Sequence, residues 1–236
     1  MGKQLTSLTP DLTAFIGRQP LFFVATAPRD GRVNVSPKGM DSLRVIAPDR
    51  IIWLNVTGSG NETAGHVLEN GRMTLMWCAF RAAPLILRTY GSARVIYPDH
   101  PEWDTYASQL PSRVGARQIF EQTIEMVQTS CGMSVPLMDF VDDRHQLDQW
   151  AERQGEDGLD AYRQQKNRAT LDGLPTGLPA SSPADAKSSP SATSQPPGSA
   201  DAKSSSSADF KSSFNFVVSG LYACRLRYRG WVWLSV

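Results

Sequence analysis

The apolar positions fall first at helical and then at strand spacing. Thr9-Pro10-Asp11 has the form of a helix start, with Thr9 as N-cap, Pro10 at the first helical position and an acid in the electropositive first turn. Leu12, Phe15 and Ile16 supply one short apolar face, and Gly17 a stop. Leu21 to Ala27 is then an apolar run ending in Pro28-Arg29-Asp30-Gly31, after which residues 32–36 alternate polar and apolar. Two such runs around a glycine-containing turn predict a β-hairpin. Strand-like runs recur over residues 43–47, 51–56, 73–80 and 85–97. One helix interrupts them over about residues 61–70, with Ala64, Val67 and Leu68 on its buried face and Gly71 as terminator. Many short strands joined by tight turns predict a mainly β protein with peripheral helices, built on an antiparallel barrel and not on a doubly wound parallel sheet.

Beyond Pro101 the texture changes. Residues 102–110 and 113–128 carry helical spacing, with Ile119, Phe120, Ile124 and Val127 on one side, so helices are expected to pack against the barrel. Two more are expected over residues 142–153 and 158–167. After Pro179 the core-forming residues run out: residues 180–213 are almost entirely Ser, Ala, Pro, Asp and Lys, the composition of a disordered linker. Residues 214–236 turn apolar and then alternate Arg225, Arg227 and Arg229 with Leu226 and Tyr228. That tail reads either as a basic strand that docks on a partner or as a segment with no selected role. The expected organisation is a domain over 1–179, a disordered linker over 180–213 and a tail over 214–236.

Composition narrows the function. The 236 residues are 41% hydrophobic and 20% charged, and 24 basic against 23 acidic side chains leave a net charge of +1. Binding of nucleic acid through bulk charge is therefore not expected. Cys78, Cys131 and Cys224 form no CxxC pair and no zinc-spaced cluster. No apolar stretch approaches the roughly 18 residues that span a bilayer, so the expectation is a cytoplasmic protein with no membrane partner.

The candidate chemistry lies between the strand over 51–56 and the helix that follows it. Gly58 and Gly60 permit a tight turn, the N–H groups around Asn61 to Ala64 are unsatisfied at a helix start, and Thr57, Ser59 and Thr63 add hydroxyl donors. Two readings compete: an anion site, or a capping box between Ser59 and Glu62 with the glycines merely turning the chain. The loop is neither a Rossmann fingerprint nor a P-loop, because the third glycine and the Gly-Lys-[ST] step are absent. Asn34-Val35-Ser36-Pro37-Lys38-Gly39 tips the balance towards an anion, since it ends a strand with a hydroxyl and a cation, and Arg44 follows six residues later. His66 reads as a phosphate contact or a surface cap, Cys131 as a thiol near a ligand or a small buried residue, and Trp53 and Trp77 as core.

Taken together, residues 22–27 and 30–39, the loop over 57–66, residues 70–76, Ile86-Leu87-Arg88, residues 130–136, Lys166-Asn167 and Asp172-Gly173-Leu174-Pro175 resemble the pyridoxamine 5′-phosphate oxidase-like family of split β-barrels that bind flavin mononucleotide (FMN). The resemblance covers roughly residues 1–179 and implies a split antiparallel barrel, FMN as cofactor, a homodimer with flavin at its interface, and an oxidoreductase acting on a small molecule. The cofactor-binding residues it implies, together with the loop, are Ser36, Lys38, Arg44, Thr57, Ser59, Asn61 and Thr63. Asn61 and Thr63 fall where the vitamin B6 enzyme has Ser and Lys, so one phosphate-binding charge is replaced by a hydroxyl, which lowers the expected FMN affinity unless Arg44 or Arg88 compensates. Residues 180–236 lack that enzyme's Trp and Arg-Leu-x-Pro ending, so oxidation of pyridoxamine phosphate itself is not expected. Alternatives are a flavin- or other ligand-binding module without turnover, including one that takes haem or a deazaflavin, and a dimeric scaffold that has lost its ligand.

Overall fold

The computed structural model describes residues 2–180, where the predicted strand pattern becomes a single antiparallel sheet. The expectations for the linker and the tail, residue 180 apart, lie outside the described residues. The expected hairpin is present as β2 (Phe22–Thr26) and β3 (Asn34–Lys38), which follow a short β1 (Gln4–Leu5) and α1 (Pro10–Gly17). Thr9 caps α1 through its Oγ, which accepts from the Leu12 N–H at 3.3 Å. β4 (Leu43–Ala47) and β5 (Arg50–Val56) pair next, and α2 (Glu62–Asn70) closes on Gly71 in the left-handed region, φ 70°. β6 (Arg72–Cys78), β7 (Ile86–Ile96), α3 (Trp103–Ala107) and β8 (Ala116–Ser130) follow, then α4 (Gln146–Lys166).

The strand order is β3-β2-β6-β7-β8-β5-β4, with β1 added on β8. β3 and β4 are the two ends of that path, yet Lys38 at the end of β3 donates to Asn55 of β5, the neighbour of β4, at 3.3 Å. The sheet has therefore curled until its ends approach without joining, which is a split barrel with a seam between β3 and β5. Inside the curl Trp53 stacks on Phe120 with ring centroids 4.5 Å apart, Phe22 meets Trp53 edge-on at 6.1 Å, and Val24, Ile51, Leu75, Trp77 and Leu87 fill the space around them.

Residues 113–128 correct the sequence reading, because most of them belong to β8, the longest strand, and not to a helix. β8 pairs with β7 on one side and with β5 and β1 on the other, and it is buried on both faces from Arg117 to Gln122. Adjacent Ile119 and Phe120 pack into different cores, Phe120 inside the barrel and Ile119 with Ile52, Leu54, Ile96, Tyr106 and Leu110 outside it. A strand covered on both faces loses its period-two alternation, and its apolar residues then mimic helical spacing. The two helices expected over 142–153 and 158–167 are joined as α4, which breaks at Gly155 (φ 64°, ψ −179°), a conformation that glycine adopts without strain.

After α4 a strap over residues 167–176 returns to α2. Ala169 bridges Pro175, and Thr170 lies so close to the helix that a Cβ at Gly65 would clash with its methyl group. Leu171 donates its N–H to the Glu62 carboxylate at 3.0 and 3.2 Å, and Asp172 forms an ion pair with Arg32. No helix among the described residues is long and apolar enough to cross a membrane.

Candidate anion-binding cleft

Where the sheet fails to close, a cleft of about 740 Å³ opens at the seam. β3 contributes Asn34, Ser36 and Lys38 to its wall, β5 contributes Asn55, the glycine loop contributes Ser59, and α2 contributes Thr63. Arg117 from β8 and Thr170 from the strap complete it. Of the residues proposed from sequence, Ser36, Lys38, Ser59, Asn61 and Thr63 all line this one cavity. Asn34 connects two of them, since its Nδ2 donates to Ser36 Oγ at 3.1 Å and to Thr63 Oγ1 at 3.4 Å.

Thr57 and Arg44 do not line it. Thr57 is buried behind the loop, donating to the Gly115 carbonyl at 3.0 Å and accepting from Arg163 Nε at 2.8 Å. Arg44 grips Asp41 with both terminal nitrogens at 2.7 Å. Met40 and Asp41 both have positive φ, 60° and 56°, an unfavourable conformation for side-chain-bearing residues. Arg44 thus acts as a brace for that turn, helped by Arg113, which donates to the Met40 carbonyl at 2.8 Å. Arg88 is likewise elsewhere, bonded to Ser130 Oγ at 3.1 Å.

The capping-box reading is not what the helix start shows: Asn61 is the N-cap residue without a side-chain cap bond, and the Glu62 carboxylate binds the strap. Asn61 is tied into the wall, its Oδ1 accepting from Gln118 at 2.5 Å and its Nδ2 donating to the Asn167 carbonyl at 3.3 Å. His66 is neither a phosphate contact nor a surface cap. It is fully buried, with Nδ1 3.0 Å from Thr26 Oγ1 and Nε2 without a partner. Cys131 is exposed, against the buried alternative.

The electrostatics of the cleft are one-sided. Lys38 sits over the Trp53 ring, 5.7 Å from its centroid. Burial, and secondly the charge of Arg117, push its ammonium down to about 8. Burial likewise lowers Arg117, to about 10. Neither cation forms an ion pair with a carboxylate among the described residues, whereas Arg113 at the rim is neutralised by Asp148 at 2.6 Å. Glu62 is the one carboxylate on the lining among the described residues, and the Leu171 N–H occupies it. Two desolvated cations ringed by amide and hydroxyl groups form a donor set for an anion rich in oxygen acceptors, and a phosphate monoester has that chemistry. Sequence reasoning missed Arg117, Asn55 and Asn167, the first because a helix was expected there.

A curled antiparallel sheet left open at a polar, cationic seam defines a split-barrel protein. The family model described as pyridoxamine 5′-phosphate oxidase matches residues 8–131. The chain is also 41% identical over 189 residues to the pyridoxamine 5′-phosphate oxidase family protein ustO of Aspergillus flavus, covering 72% of this chain and 75% of that protein. The chain belongs to the pyridoxamine 5′-phosphate oxidase family. Solved structures with some similarity include a pyridoxamine 5′-phosphate oxidase-related, FMN-binding protein of Nostoc punctiforme, at 14% identity and a TM-score of 0.40, covering 53% of this chain and 85% of that one. Another is HutZ, the haem storage protein of Vibrio cholerae, at 18% identity and a TM-score of 0.39, covering 51% and 93%.

Proposed function

We propose that the chain binds FMN with its phosphate in the seam cleft and acts as a flavin-dependent oxidoreductase on a small molecule. The observation that carries this reading is Lys38, a desolvated ammonium without a carboxylate partner, on the same cavity wall as Ser36, Ser59, Asn61 and Thr63. The donor set fits the phosphate end of FMN: one cation for its charge, and neutral hydroxyl and amide groups for its remaining oxygens. Haem fits less well, since among the described residues no histidine, cysteine or tyrosine lines the cleft and Met40 is the one lining side chain of a haem-ligand type. When bound, the flavin supplies hydride and electron transfer, while the protein contributes binding, orientation and exclusion of water.

The partner in this reading is a second copy of the chain. Met133, Leu137 and Val141 lie 80%, 79% and 92% exposed along one connection, an apolar surface suited to burial in a homodimer. Titrating FMN and riboflavin into the purified full-length chain, followed by flavin fluorescence, tests the cofactor. Tight binding of FMN, weaker binding of riboflavin, and a loss of FMN affinity in Lys38→Ala of about 10- to 150-fold are expected, the effect of removing a charge-assisted contact. A chain that carries no flavin and takes none up would overturn the reading. Reduction of the bound flavin by NADH or NADPH then separates an oxidoreductase from a binding module without turnover.

A further inference from the structure

A buried arginine normally has a carboxylate against it, because taking a guanidinium out of water is costly unless charge or hydrogen bonds compensate. Arg117 is 2% exposed and has only neutral acceptors. Its Nε donates to Gln118 Oε1 at 2.7 Å, Nη1 to Asn167 Oδ1 at 2.5 Å and Nη2 to the Gly60 carbonyl at 3.1 Å. A guanidinium carries five N–H donors, so one N–H on each terminal nitrogen is left over, in a side chain that lines the cleft. Asn167 also donates to the Gly58 carbonyl at 2.9 Å, so Arg117 and Asn167 between them hold both glycine carbonyls of the loop. Lys38, like Lys166 a cation of the wall with no carboxylate partner among the described residues, is close enough to be repelled by Arg117. Folding alone gains nothing from holding two such charges together, and a dianion between them relieves both.

We propose that Arg117 is the second cation of this site, donating its two spare N–H groups to the phosphoryl oxygens of the ligand, with Asn167 as the positioning residue that fixes the guanidinium against the glycine loop. The proposal rests on the reading that the cleft receives the phosphate of FMN, and it names the chemistry the pair selects: a dianionic phosphate monoester over a carboxylate or an uncharged ligand. It also gives the strap, which lies outside the family-matched residues, a part in the site.

The test compares FMN, riboflavin and inorganic phosphate on the wild-type chain and on Arg117→Gln. Loss of FMN affinity by roughly tenfold or more in Arg117→Gln, with riboflavin affinity unchanged and Arg117→Lys recovering only part of the loss because it restores the charge without the paired donors, is the expected result. Equal weakening of FMN and riboflavin would reveal a structural arginine and overturn the proposal, as would unchanged FMN affinity while Lys38→Ala still loses it. If the wild type takes no FMN but is stabilised against heat by inorganic phosphate, and Arg117→Gln is not, the cofactor reading fails and the arginine assignment stands. Stabilisation by neither ligand overturns both. Should Arg117→Gln not fold, the wild type decides alone. One guanidinium ¹⁵N resonance should shift on adding FMN or phosphate and not on adding riboflavin, and no responding resonance would sink the assignment.

Discussion

The closed side of the barrel and its open seam solve opposite problems. Along β6, β7, β8 and β5 each strand is paired on both sides, and the space they enclose holds Trp53, Trp77, Phe120, Leu75 and Leu87 at no more than 1% exposure. At the seam amides, hydroxyls and cations, among them Lys38 and Arg117 without counter-charges among the described residues, share the wall with a few apolar side chains and are held by hydrogen bonds that span more than a hundred residues. Apolar burial and ladder hydrogen bonds stabilise the first region, whereas the second is left electrostatically incomplete. The barrel tolerates that incompleteness because its stability is generated elsewhere. Stability and ligand affinity should therefore respond to different residues.

The largest effect is expected on the closed side. Phe120→Ala removes the ring stacked on Trp53 and should cost about 3–5 kcal/mol of unfolding free energy, read from urea unfolding, while the folded fraction keeps its FMN affinity. A large loss of affinity without loss of stability in this variant would break the distinction. An intermediate effect is expected from pH. Because Lys38 is held near 8 in the ligand-free protein, against an ordinary 10.5, between those values the unfolded chain keeps a proton that the folded chain has lost. As far as this group is concerned, ligand-free stability should rise with pH across that window and be constant above it. An anion draws the proton back, so FMN affinity should fall between about pH 8 and 10, by at most about tenfold per pH unit, and over that range the fall should vanish in Lys38→Ala. A flat profile in the wild type would detach Lys38 from the anion. The smallest effect is expected from Arg44→Ala. Its pairing with the exposed Asp41 is worth no more than about 1 kcal/mol, and isothermal titration should find FMN affinity within about twofold of wild type. A drop as large as that of Lys38→Ala would return Arg44 to the site.

Much of the fold was readable from sequence: the β2–β3 hairpin from its alternation and glycine turn, β4 and β5 from short apolar runs bounded by turns, and the end of α2 from Gly71. β8 was not, since burial on both faces erases the alternation. Its signal lay in the β-branched run Ile119, Thr123, Ile124, Val127 and Thr129, which favours a strand. The site was half readable. Ser36, Lys38, Ser59, Asn61 and Thr63 sit in local stretches whose chemistry can be recognised. Arg117, and a role for the Asn167 already noted in the Lys166-Asn167 stretch, become visible only when the fold brings them to Gly60 and Gly58. Arg44 looked like a ligand because a cation after a phosphate-like loop is ambiguous until its partner, Asp41, is known.

The bond between Asn61 and Asn167 joins residues 106 apart in sequence, and the one between Asn167 and Gly58 joins residues 109 apart. The hairpin of β2 and β3 needs only its own turn to bring its arms together. Contacts of such different range form in order, because long loops must be closed before they return any stabilisation. The cleft is therefore expected to be assembled after the β2–β3 hairpin. In pulse-labelled hydrogen exchange during refolding, protection should reach residues 167–176 after it reaches β6 and β7. On the proposed reading, binding of a phosphorylated ligand would need both ends of that long loop in place and would report that synthesis and folding of the chain have passed Asn167.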